Sequence, residues 1–211
     1  MVELFSKLED ILSCEKIKNC FVDTSVLFSV TYPSDSFNDL TVAAFDCLSD
    51  FRISAFTNVN VRSEFLEGHR RVLIAECLID FLEEMESALD GVLLEKLRTH
   101  KKTYRLKIKE EKSAKMELSQ IKVFRKLLTA LKTPTENGWE KFCHDFLHDK
   151  LTPIWSETEK DLNLNFITLR SQDHSPYLNK NPQWEGALEI MGRYGISSAD
   201  AMIVNMFLCS K

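Results

Sequence analysis

Apolar residues recur at helical spacing from the first residues of the chain, at Val2, Leu4, Phe5, Leu8, Ile11 and Leu12, and predict an amphipathic helix over residues 2–13. The next stretch, Asn19-Cys20-Phe21-Val22-Asp23-Thr24-Ser25, is an apolar run ending in polar residues. A buried parallel strand that delivers polar groups at its carboxyl end has this pattern. After turn formers at Pro33–Ser36, residues 37–48 read as a helix with Leu40, Val42, Ala43, Ala44 and Leu48 inward, and residues 51–56 alternate as a second strand. Thr57 or Asn58 can cap the helix that follows, whose periodicity continues through Leu89.

Neither proline nor glycine occurs from Val92 to Leu131, and the residues there favour helix, so one long helix or a helical hairpin is expected. Thr133–Gly138 breaks it, a helix runs from Trp139 to about Lys150, and residues 162–169 suit a third strand. Beyond a polar loop at 170–182, residues 184–194 are helical up to Gly195, and 196–208 form a buried helix capped by Ser197 or Ser198. This order of elements predicts one α/β domain over residues 1–211, built on a parallel sheet and carrying a helical insertion at about 92–150.

A hydrophobic content of 44% in 211 residues suffices for a substantial core. The six cysteines fall at no CxxC spacing and sit mostly in apolar stretches, which points to reduced thiols and a cytoplasmic setting. The first ten residues carry acids where a signal peptide needs a basic patch, and no apolar run reaches transmembrane length. Charge divides unevenly: Glu95 to Lys132 holds thirteen Lys and Arg against four Glu, a net of +9, so with −5 overall the remainder carries −14. A basic arm of this kind is either a nucleic-acid contact or a solvated helical face.

Three acids stand where a carboxylate needs an explanation: Asp23 at a strand end, Glu64 early in a helix with apolar neighbours, and Asp200 in the first turn of an apolar helix. Ionised carboxylates in apolar surroundings need a partner or a cation, and hard divalent ions take oxygen ligands. Each acid has an ordinary alternative. Asp23 can cap a turn, Asp200 can complement a helix dipole, and Glu64 can pair with Arg62, Arg70 or Arg71.

Phe21-Val22-Asp23-Thr24-Ser25-Val26-Leu27 resembles the opening motif of PIN domains, an acid followed by Thr and then Asn or Ser. Residues 57–65, which present Glu64 on a helix, resemble the second motif, and residues 194–203, with Asp200 after a small-residue run, resemble the third. The resemblance implies a PIN-like three-layer sandwich and an endoribonuclease that hydrolyses RNA phosphodiesters with Mg²⁺ or Mn²⁺. Asp23, Glu64 and Asp200 would hold the metal, and Ser25 would orient an acid or a metal-bound water. The family's fourth acid has no counterpart before Lys211, and Asp173 is a conceivable substitute. The insertion also separates the chain from the compact VapC-type toxins. RNA is the expected substrate, gripped by Lys101, Lys102, Arg105, Lys107 and Lys109 on the basic arm. An antitoxin or other protein partner, a homodimer, and a catalytically silent RNA- or protein-binding module remain open alternatives.

His144 and His148 share i,i+4 spacing, but lack the metalloprotease glutamate and a third ligand, so they read as surface residues. Trp139, Trp155 and Trp184 read as packing residues, and no Gly-rich phosphate loop appears.

Overall fold

A computed structural model describes residues 10–11, 17–89, 91–110, 112–132, 136–167, 178–180 and 182–209. The opening helix expected over 2–13 therefore lies outside the described residues except at Asp10 and Ile11, which are helical. Most of the loop at 170–182, with Asp173, also lies outside them. The chain divides into two compact units, one of Met1–Thr31, Asp39–Phe65 and Glu157–Lys211, the other of Tyr32–Asn38 and Leu66–Ser156.

The first unit is mixed α/β. Its strands β1 (Asn19–Phe21), β2 (Ser54–Asn58) and β3 (Asn165–Ile167) form a parallel sheet in the order β1-β2-β3. Phe21 aligns with Phe56, and Phe56 in turn with Asn165. Alternation along β2 sends Phe56 and Ala55 to opposite faces. The Phe56 face is covered by two helices, which we label below as α9 and α10, through Ala187, Ile190, Ala201, Met202 and Met206. The side chains are aliphatic or thioether on both helices, so the sheet buries its apolar face against a close-fitting layer.

Two short helices precede β2: α1 (Thr24–Thr31), which has no counterpart in the sequence expectation, and α2 (Asn38–Asp50). Two threonines and a β-branched pair weaken the helical signal of α1, while Leu27, fully buried, anchors it. The third helix, α3 (Val59–Met85), starts directly on the end of β2, where Asn58 Oδ1 accepts from the amides of Asn60 and Val61. Of the two cap candidates, Asn58 thus takes the role, and its own burial is complete enough that the bonds matter: 2% of its surface is exposed.

The second unit is helical. Beyond a 3₁₀ turn at Glu86–Ala88 come α4 (Gly91–Lys109) and α5 (Leu118–Ala130), so the glycine-free stretch is two helices, not one. Glu117 and Gln120 form a reciprocal capping box that starts α5. Then follow α6 (Gly138–Phe142), a π turn at Cys143–Leu147, α7 (His148–Leu151) and α8 (Ile154–Asp161), whose residues from Glu157 on belong to the first unit. The π turn stacks Phe142 and Phe146, with ring centres 6.3 Å apart, and both rings meet Phe81 of α3. Cys77 Sγ donates to the Phe146 carbonyl at 3.1 Å. Ile74, Leu78, Leu97, Ile121 and Leu128 complete this core. Helix α8 is absent from the sequence expectation, hidden by its brevity and by Pro153 immediately before it.

The closing helices are α9 (Trp184–Tyr194) and α10 (Ser198–Cys209). Gly195 joins them at φ +65°, a left-handed conformation that glycine adopts without a Cβ clash and that ends α9 as expected. Trp139 packs on Phe142 and Trp155 is buried, whereas Trp184, at the first position of α9, is 45% exposed and lies outside the core. Among the described residues, no helix is long and apolar enough to cross a membrane.

Candidate functional site

Asp23 follows β1 and caps α1. Leu27 N donates to the Asp23 carbonyl at 3.1 Å, Thr24 N to Asp23 Oδ1 at 2.7 Å, and Ser25 Oγ to Asp23 Oδ2 at 3.3 Å. The parallel ladder runs on past Phe21, since Val22 N donates to the Phe56 carbonyl at 2.8 Å, and so delivers Asp23 beside the end of β2. Glu64 reaches the same place from α3, 40 positions along the chain from Thr24: Thr24 Oγ1 donates to Glu64 Oε2 at 2.9 Å. One residue, Thr24, thus binds Asp23 through its backbone and Glu64 through its side chain. The opening motif contains Thr24, but nothing in the sequence marks it as the link; only the fold brings the two acids to it.

Asp200 sits at the third position of α10, with Ser197 as the cap. Asp200 N donates to Ser197 Oγ at 3.2 Å and the Ser197 hydroxyl donates to Asp200 Oδ2 at 2.6 Å. Of the two serines proposed as caps, Ser197 therefore takes the role. Helix α10 crosses the ends of β1 and β2, where Asn58 Nδ2 donates to Met206 Sδ at 3.1 Å and Phe207 meets the Phe21 ring edge-on.

Burial departs from the sequence expectation. Asp23 is half-buried, whereas Ser25, Glu64 and Asp200 are exposed. The buried stripe of α3 runs through Val61 and Phe65, which turns Ser63 and Glu64 outward, and in α10 it runs through Ala201, Met202 and Met206, which turns Asp200 outward. Desolvation in apolar surroundings is therefore not what singles these acids out. The neighbouring arginines make contacts elsewhere among the described residues: Arg70 makes two bonds to Glu67, Arg71 binds the Met116 carbonyl and Glu117, and Arg62 lies over the Phe166 ring. Among the described residues, no three His, Cys, Asp or Glu side chains gather in a group that could hold a metal ion.

A hard cation nevertheless fits the donors that do meet. Mg²⁺ keeps most of its waters and commonly takes one or two carboxylates. Asp23 and Glu64 supply two, each with acceptor capacity beyond the bonds described. Cys20, in the strand leading to Asp23, is no rival nucleophile, because burial pushes its thiol up and keeps it protonated.

On the basic arm, Lys102, Arg105 and Lys109 are exposed and Lys107 half-buried, and none forms an ion pair among the described residues. Lys101 differs. It is tied to Glu83 at 2.7 Å and is only 24% exposed, because it lies on the side of α4 that faces α3. His144 and His148 are exposed, and each Nδ1 bonds the carboxylate of the next residue, Asp145 or Asp149. The neighbouring Asp145 carboxylate raises the affinity of the His144 ring for its proton.

The five described cysteines are free thiols. Compared with known proteins, the chain matches no family model, no curated protein and no solved structure.

Proposed function

We propose that the chain is a PIN-like metal-dependent endoribonuclease. The observation that carries this reading is the meeting of Asp23 and Glu64 on Thr24, at the carboxyl end of a parallel sheet, where open α/β folds place their ligands. Asp23 and Glu64 would hold the ion, with Asp200, whose side chain is closed on Ser197, as its third carboxylate. When bound, Mg²⁺ or Mn²⁺ supplies a nucleophilic water and offsets charge on the phosphate. The chain's own residues orient that chemistry. Ser25 and the Thr24 amide fix both oxygens of Asp23, and Thr24 Oγ1 fixes one oxygen of Glu64. The cations Lys102, Arg105, Lys107 and Lys109 attract the RNA backbone.

A nuclease assay with Mn²⁺ on the native chain and on Asp23→Asn tests the proposal. Loss of cleavage in the variant is expected, and equal cleavage by both proteins refutes it. A second reading has one observation in its favour: Asp23 and Asp200 each complete a helix cap without any metal. In that case the protein is a binding module, Mn²⁺ leaves the melting temperature unchanged, and no cleavage occurs.

A further inference from the structure

Helices α4 and α5 diverge enough to leave an open cleft of about 480 Å³, within the range of binding pockets. Its walls include Val92, Lys96 and Thr99 on α4 and Val123 on α5, with His100 and Phe124 deeper in. Val92 and Val123, both lining it, are 59% and 44% exposed and offer apolar surface to a ligand. From Val92 to Thr103 the cleft follows α4 for about 16 Å at the helical rise, or about three turns.

Some of the nearby cations are satisfied: Arg98 pairs with Glu86, Lys101 with Glu83 of α3, and Arg125 lies over Trp139 of α6. Lys96 lines the cleft, and Lys102, Lys107 and Lys126 stand one helical turn from its lining residues Thr99, Thr103 and Val123. None of these four forms an ion pair among the described residues. Of the described residues that line the cleft itself, only Glu95 is acidic.

We infer that this cleft docks an amphipathic helix of a protein partner, with an aliphatic stripe of about three turns between acidic flanks. A groove of largely apolar surface between two helices takes a third helix as its natural complement, with anchors at i, i+3, i+4 and i+7. The surplus lysines select acidic flanks and speed the encounter. Single-stranded nucleic acid is the poorer match. It needs aromatic faces on which bases stack, but Phe124 is only 7% exposed, His100 is half-buried, and the other lining residues are not aromatic. The inference is independent of the metal-site reading, and it competes with the RNA contact for Lys102 and Lys107.

Fluorescence anisotropy on the full chain tests it with two labelled 18-residue helical peptides, one with a leucine stripe flanked by glutamates, the other with lysines replacing the glutamates. The acidic peptide is expected to bind at micromolar concentration in 0.15 M salt and the basic one at least tenfold more weakly. Val123→Glu, at an exposed position that leaves the core intact, and the pair Lys96→Glu with Lys126→Glu should each weaken the acidic peptide at least tenfold. Asp23→Asn should bind it like the native chain. Equal binding of the two peptides, no binding of the acidic one, or indifference to the cleft variants overturns the inference. Two further outcomes reassign the cleft: displacement of the peptide by a single-stranded RNA that Val123→Glu also fails to bind, or a dimer in sedimentation that Val123→Glu dissolves.

Discussion

Replacing Thr24 by Val removes the hydroxyl donor that meets Glu64 while keeping the shape of the side chain. A hydrogen bond to a charged group is worth about 1.5–3 kcal/mol when well shielded. Both partners here are accessible, so solvent competes for the carboxylate and about 1 kcal/mol is a fair figure for the coupling. Urea unfolding of the native chain, Thr24→Val, Glu64→Ala and the double variant forms a cycle that isolates this coupling from other effects of each substitution. About 1 kcal/mol of non-additivity is expected, and additivity within about 0.3 kcal/mol would show that the bond does not contribute. If Glu64 works with Asp23 on RNA, Thr24→Val also lowers cleavage about fivefold, the kinetic equivalent of the same energy. A stability coupling without any change in cleavage would leave Thr24 a structural link and remove Glu64 from the chemistry.

Titration with Mg²⁺ or Mn²⁺ should raise the melting temperature of the native chain but not of Asp23→Asn, read by differential scanning fluorimetry, because the ion binds the folded state alone. Gly186→Ala should destabilise by about 1–3 kcal/mol in chemical denaturation. A Cβ there would stand 2.5 Å from Asn205 Oδ1, and relief by rotation would break the bond from Asn205 Nδ2 to the Gln183 carbonyl. His69 is 8% exposed, and burial, with Lys115 nearby, lowers its pKa to about 4. The unfolded chain takes up this proton near the ordinary value of 6.5, so the fold holds the full benefit above that pH and loses it as pH falls toward 4. Unfolding at pH 7 and pH 5 should differ by about 2 kcal/mol more in the native chain than in His69→Gln, and equal differences would refute the assignment.

The larger elements were legible because apolar periodicity and breakers agreed with one another. Phe56 and Val22 sat in short apolar runs, α3 carried an uninterrupted stripe, and Gly195 announced the end of α9. Helices α1 and α8 were not, being eight residues each and lacking a strong stripe. Within the candidate site, sequence picked the acids but misjudged their surroundings. Apolar neighbours in the chain do not bury a residue when the helix turns them to the other side, as Val61 and Phe65 show for Glu64. The partnership of Lys101 with Glu83 was likewise invisible, since it depends on which side of α4 faces α3.

The π turn at Cys143–Leu147 has a consequence for how this protein tolerates changes in length. A π turn takes up one residue more than a regular turn does, so a deletion within it has a ready outcome, an unbroken α-helix. That outcome would swing every later side chain of α6–α7 by about 100° around the axis. Phe146 would then leave Phe142 and Phe81, and the Cys77 thiol would lose its acceptor. The surplus residue is what keeps the three rings together, and a shortened chain would remain helical while its aromatic cluster came apart.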